Sequence, residues 1–155
     1  MIKGSFRDGQ PRITAKLIFP GLQEEGERKV GVVDFLVDTG SADSVIHPRD
    51  ARRMLLDFEE DSRGKPRVTI TGIGGFERTW KEAVKINFPK GGAGDNLGDC
   101  SILIAIPDRH NDRHDSLLGR DVLDRFRLHY CPSTGGLTLS RPSAWALRIA
   151  GWRRT

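Results

Sequence analysis

The residues best suited to chemistry in this 155-residue chain are Asp38-Thr39-Gly40-Ser41. They follow Val30-Gly31-Val32-Val33-Asp34-Phe35-Leu36-Val37, a run rich in β-branched and aromatic residues that suits a largely buried strand. A carboxylate set directly after such a strand is costly unless hydrogen bonds or a functional role hold it there. Its chemistry would be acid–base work, with the carboxylate taking a proton from water. Taken alone the triplet is weak evidence, because turns use Asp and Gly constantly and a strand-ending turn is the competing reading.

The elements that must position this acid read as follows. Ile13, Ala15, Leu17 and Phe19 alternate as in a half-buried strand, which Pro20-Gly21 ends. After Asp38-Thr39-Gly40-Ser41, Val45-Ile46 resumes extended apolar chain, and Pro48 opens a helix across Arg49 to Leu56. Val68 and Ile70 lead to Gly72-Ile73-Gly74-Gly75, and Val84, Ile86 and Phe88 alternate beyond it, predicting a long hairpin with a glycine-rich tip. Ile102 to Ile106 is a strand-length apolar run. Leu117-Leu118-Gly119 precedes a helical pattern over Arg120 to Leu128, with Val122, Leu123 and Phe126 on one face, and Gly136 to Ser140 is a last strand. Many strands, short turns and short helices predict a mainly β fold.

In this order and spacing the motifs resemble the retroviral-type, or retropepsin-like, aspartic protease family over roughly residues 12–140. Val33 to Ser41 continuing into Ala42-Asp43-Ser44-Val45-Ile46 matches the family's catalytic loop and following strand. The glycine-rich hairpin stands where the family has its flap. Leu117-Leu118-Gly119-Arg120-Asp121 resembles its apolar-apolar-glycine element before the C-terminal helix. The resemblance implies one half of an acid protease, a closed β-barrel with a flap hairpin and a short C-terminal helix.

It also implies a mechanism with two close carboxylates, one taking a proton from water while the other, protonated, polarises the scissile carbonyl. Such a pair shares a proton and titrates as a unit. The chain has a single D-T-G and no D-S-G, so a second copy must supply the other Asp38, which a two-fold homodimer does. By resemblance, Thr39 bonds across the dimer beneath the pair, Gly40 allows close backbone approach and the Ser41 hydroxyl orients the carboxylate. Gly72, Ile73, Gly74 and Gly75 form the flap over an extended peptide. Leu117, Leu118 and Gly119 pack beneath the loop, and Arg120 pairs with an acid after the triplet. That acid position is Ala42 here, with Asp43 beside it. Each role has a plainer alternative in local turn bonding or hairpin packing. No cofactor and no metal are expected.

Length and composition bound the rest. The whole of 1–155 is expected to be one domain, its core at about 12–140 and its tail at 141–155. An apolar content of 37% beside 30% charged residues describes a globular chain, and no apolar run reaches membrane-spanning length. The expected location is cytoplasmic, unless the chain is a fragment of a membrane-anchored protein. Cys100 and Cys131 make no disulfide framework, and His110 and His114 sit in a polar run that reads as a solvated loop rather than a zinc helix. A net charge of +4 raises nucleic acid as a partner, but acids are interspersed with bases except in the tail, so no specific nucleic-acid binding is expected. Trp145, Ile149 and Trp152 form a helical stripe in that tail, read as internal packing, with dimer closure or membrane contact as lesser readings. The alternative to an endopeptidase is a binding or dimerisation module on the same fold.

Overall fold

The computed structural model describes residues 1–72, 75–92 and 95–142. The chain runs β1 (Ile2–Lys3), β2 (Ser5–Arg7), β3 (Gln10–Glu24), β4 (Glu27–Val37), β5 (Val45–Ile46), α1 (Pro48–Arg53), β6 (Arg67–Gly72), β7 (Gly75–Asn87), β8 (Leu97–Ala105), β9 (Leu117–Leu118), α2 (Arg120–Leu123), β10 (Arg127–Cys131) and β11 (Gly136–Ser140). With 53% strand and 10% helix the fold is mainly β, as the patterning predicts.

Six strands close into a barrel in the order β3, β4, β9, β5, β8, β7, with β7 returning to pair with β3 at Lys16 to Ile18. Closure removes the open edges that a sheet would otherwise expose. Ile13, Ala15, Leu17 and Phe19 of β3 all point inward with no exposed surface, and Val33, Phe35 and Val37 of β4 face them. Trp80, Ile86, Ile102, Ile104 and Leu118 complete this core. Outside the barrel, β1, β11 and β10 form a small antiparallel sheet in which Ile2 pairs with Leu139 and Leu128 with the same residue from the other side.

Four local expectations change. Pro20-Gly21 does not end β3; the strand passes through them with a register shift between Ile18 and Gln23, because an irregularity in the ladder tolerates a residue without an amide hydrogen. The apolar run of β4 is buried on one face only, since Val30 and Val32 lie on the exposed side of the alternation. Helix α1 stops at Arg53, and Leu55 takes a left-handed φ of 57° that helical geometry does not allow. The helix over Arg120 to Leu128 is only Arg120–Leu123, because Arg127 onward is drawn into pairing with β11. The Trp145, Ile149 and Trp152 stripe lies outside the described residues. Among the described residues no helix is long and apolar enough to cross a membrane.

Phe35 sits fully buried two residues inside the end of β4, so its core packing also fixes where the strand delivers Asp38. Phe35→Ala is expected to lower unfolding free energy by about 3–5 kcal/mol, read as a shifted midpoint in urea at unchanged slope.

Candidate active site

Asp38 is the first residue after β4 and is partly exposed, while Thr39 and Gly40 are exposed. Its carboxylate is held from within its own loop. The Gly40 amide donates to Asp38 Oδ1 at 2.9 Å, and the Ser41 amide donates to the same oxygen at 3.3 Å. Oδ1 is thereby committed to backbone donors, and Oδ2 has no such bond among the described residues. A Cβ at Gly40 would stand 3.2 Å from Asp38 Oδ1, tighter than an ordinary contact, so glycine serves the close approach of amide to carboxylate. The Ser41 hydroxyl does not reach the carboxylate. It donates to the Asp43 carbonyl at 2.7 Å, so the orienting group of Ser41 is its amide, and its side chain closes the loop locally.

The loop rests on β9 and the start of α2. The Asp38 amide donates to the Leu118 carbonyl at 3.1 Å, continuing the parallel pairing of Leu36 with Leu117 and Val37 with Leu118. On the far side of the loop, the amides of Arg120 and Asp121 donate to the carbonyls of Ser41 and Ala42 at 2.9 and 3.1 Å. Ser44, fully buried, ties the two segments together. Its hydroxyl accepts from the Gly119 amide at 2.9 Å and donates to Asp121 Oδ1 at 2.6 Å. Gly119 must be glycine here, because a Cβ would lie 2.4 Å from the Asp43 carbonyl oxygen and 2.5 Å from its carbon. Leu118 is buried beneath the loop and Leu117 is partly so. The side chain of Arg120 is exposed. Among the described residues it forms no ion pair with Asp43; its backbone amide, not its guanidinium, is what holds the loop.

Ahead of β9, the 115–116 segment is anchored by charge. Asp115 accepts from Arg12 of β3 at 2.8 Å and from Arg49 of α1 at 2.9 Å. The Ser116 hydroxyl donates to Asp50 at 2.7 Å and accepts from the His47 amide at 3.0 Å, while the Ser116 carbonyl accepts from the Leu36 amide. The hydrogen bond from Arg12 outweighs the opposing effect of burial and, with the hydrogen bond from Arg49, holds the Asp115 carboxyl at about 2. Ser44, Asp115, Ser116 and Asp121 carry no role in the sequence reading. Only the polar type of Ser44 next to Val45-Ile46 hints at a buried partner, and the partner is 77 residues away.

The hairpin of β6 and β7 pairs Arg67 with Trp80 through Gly72 with Gly75. Gly75 has φ of 116°, a conformation that side chains rarely adopt, and Phe76 beside it is exposed. Ile73 and Gly74 lie outside the described residues. A cleft of about 490 Å³ is bounded by Asp43, Lys81, Cys100, Asp121, Val122 and Arg125 among others, and Asp38 is not part of its wall.

A closed barrel carrying an acid loop on a parallel strand pair, with a long hairpin alongside, is the fold of a retropepsin-like protein. A solved relative in fold is the retropepsin-like aspartic protease from Rickettsia conorii, at a TM-score of 0.55 and 20% identity over 90% of this chain and 88% of that one. The EIAV protease complexed with the inhibitor HBY-793 matches at 20% identity over 76% of this chain and 88% of that one, with a TM-score of 0.46. No curated protein matches by sequence. The chain belongs to the aspartyl protease family, whose model matches residues 26–122.

Gly119→Ala forces the Asp43 backbone to move and is expected to cost about 1–3 kcal/mol of stability, measured by denaturant unfolding, with chemical-shift changes concentrated at residues 41–44. Because the Asp115 carboxyl is depressed below its ordinary 3.8, its contribution is present above that value and is lost as pH falls toward about 2. For a side chain about a quarter exposed, this amounts to about 1–2 kcal/mol. Asp115→Asn should flatten stability against pH over that window and lower it at neutral pH.

Proposed function

We propose that the chain is an aspartic endopeptidase acting as a homodimer, in which Asp38 and the partner subunit's Asp38 share one proton and activate water against a peptide carbonyl. The observation that carries this reading is the Asp38 carboxylate itself, fixed through one oxygen by two backbone amides and without such a bond at the other among the described residues. The same pair of amide bonds recurs at Asp57 and Asp108 in ordinary turns, so what distinguishes Asp38 is its place at the end of a buried strand, on the parallel pairing of β4 with β9. One such carboxylate cannot act as both acid and base on the same carbonyl, and the chain has one D-T-G, so the second must come from another copy.

In this reading Thr39 and Gly40 are exposed because they meet their counterparts across the two-fold axis, with the Thr39 hydroxyl bonding beneath the pair. Gly72, Ile73, Gly74 and Gly75 form a flap that bends over the substrate and excludes water. The substrate binds extended, its backbone hydrogen-bonded in a groove across the axis. That the single-chain cleft leaves Asp38 out fits a groove completed by the second subunit. Leu117, Leu118, Gly119 and Arg120 support the loop without touching substrate. The family's frequent use of interleaved terminal strands has to be reconciled with β11, whose two edges are already taken by β1 and β10 of the same chain, so contact around the catalytic loops carries more of this dimer. One continuous core reaching from Ile2 to Leu139 supports treating the chain as one domain.

The test is cleavage of a denatured protein or peptide library across pH, with the oligomeric mass recorded in the same samples. The intact chain is expected to cleave as a dimer with a bell-shaped pH profile, since the two carboxyls titrate together. Asp38→Asn is expected to abolish cleavage while changing stability by less than about 1 kcal/mol. A dimer that cleaves nothing at any pH favours a binding module on the same fold, and a persistent monomer removes the shared-site mechanism.

A further inference from the structure

Away from Asp38, three side chains that the sequence leaves far apart converge on one point. His47 follows β5, Glu77 lies on β7 in the outer half of the hairpin, and His114 lies in the loop before β9. One ligand atom from each can be chosen so that all three lie within 4.8 Å of one another. His47 is almost completely buried, Glu77 is one-fifth exposed and His114 is about half exposed, so the cluster is walled on the inside and open on one side.

The hydrogen bonds at His47 decide what the cluster needs. Its Nδ1 lies 2.7 Å from the Asp115 carbonyl oxygen, and a carbonyl can only accept, so Nδ1 carries hydrogen and donates. In the neutral ring Nε2 then presents a lone pair, and it points at Glu77 Oε2, another acceptor, at 3.0 Å. Two acceptors at that distance repel unless a positive centre lies between or beside them. The other carboxylate oxygen, Glu77 Oε1, is buried with no hydrogen-bond partner. The Asn111 amide gives one hydrogen to the Ile106 carbonyl and acts on the Glu77 carboxylate with its other, while His114 Nδ1 lies 3.5 Å from Oε1. The 3.5 Å separation matches the ~3.3–3.6 Å between donors around a tetrahedral ion with metal–ligand bonds of ~2.0–2.2 Å, and the 3.0 Å one is a few tenths of an ångström short of it, so His47 and Glu77 part slightly to admit the ion. A backbone carbonyl holding the far nitrogen of a ligating imidazole is the usual outer support of such a site.

We propose that His47, Glu77 and His114 bind a divalent transition metal of the zinc class, through His47 Nε2, the Glu77 carboxylate and His114 Nδ1, with a solvent molecule as the fourth donor. Two imidazoles and one carboxylate are a donor set suited to zinc rather than to calcium or magnesium, which take oxygen. The half-exposed His114 supplies the entry path and closes inward on the ion. The site takes no part in the peptide chemistry proposed for Asp38. Its position gives it a mechanical role. Glu77 pairs with Ile70, two pairs from the Gly72–Gly75 end of the hairpin, and His47 continues from the strand that follows the acid loop, so the ion ties the outer half of the hairpin to the barrel. Where a proton bridges His47 and Glu77 beforehand, metal entry releases it.

The test is calorimetric titration of the full chain, stripped with a chelator, with Zn²⁺ near neutral pH, and a parallel titration with Co²⁺ read by visible absorption. Neither readout requires proteolysis, so failure here is distinct from failure of the protease reading. One ion per chain with the absorption of tetrahedral Co²⁺ is expected. His114→Gln, at an exposed position that the core does not depend on, is expected to weaken binding about tenfold or more, and His110→Gln in the same loop to leave it unchanged. Absence of stoichiometric binding by the intact chain overturns the proposal, as does intact affinity in His114→Gln.

Discussion

The structure depends on how a two-residue strand closes the barrel. Between the long strands β4 and β8 the ring is completed by β9 and β5, each two residues long. Two-residue strands offer few ladder bonds, so their position has to be set by side chains. Buried Ser44 and Ser116 do this, each accepting a backbone amide and donating to a carboxylate, Asp121 in one case and Asp50 in the other. Each such bond contributes only about 1 kcal/mol net, but losing one strands a buried donor or acceptor at about 1–3 kcal/mol. The acid loop is thus held by polar contacts that are costly to break, in a region where apolar packing alone would leave it free to slide.

The same junction explains why Asp38 can be both positioned and accessible. Below it, Phe35, Val37 and Leu118 are packed in the core. Beside it, the Arg120 and Asp121 amides take up the Ser41 and Ala42 carbonyls, adding outside support to the bonds that Asp38 and Ser41 make within the loop. Thr39 and Gly40 remain at the surface.

Charge is arranged around this junction with equal economy. Asp115 joins Arg12 and Arg49, bringing β3, α1 and the approach to β9 together, while one residue earlier His114 meets Glu77 and His47. The 114–116 segment therefore touches the hairpin, the helix and the strand that supports Asp38.

The mainly β fold, the inward faces of β3 and the placement of Asp38 at a strand end were legible in the sequence, because a two-residue period and the types at 38–41 are local properties. The lengths of α1 and α2, the passage of β3 through Pro20, and the exposed face of β4 were not, because strand pairing and register are settled by residues far away in the chain. Ser44 with Asp121, Asp115 with Arg12 and Arg49, and the meeting of His47, Glu77 and His114 belong wholly to the tertiary structure. Polar residues carry no period that points to their partners, and only closure of the barrel brings positions 47, 77 and 114 to within bonding reach.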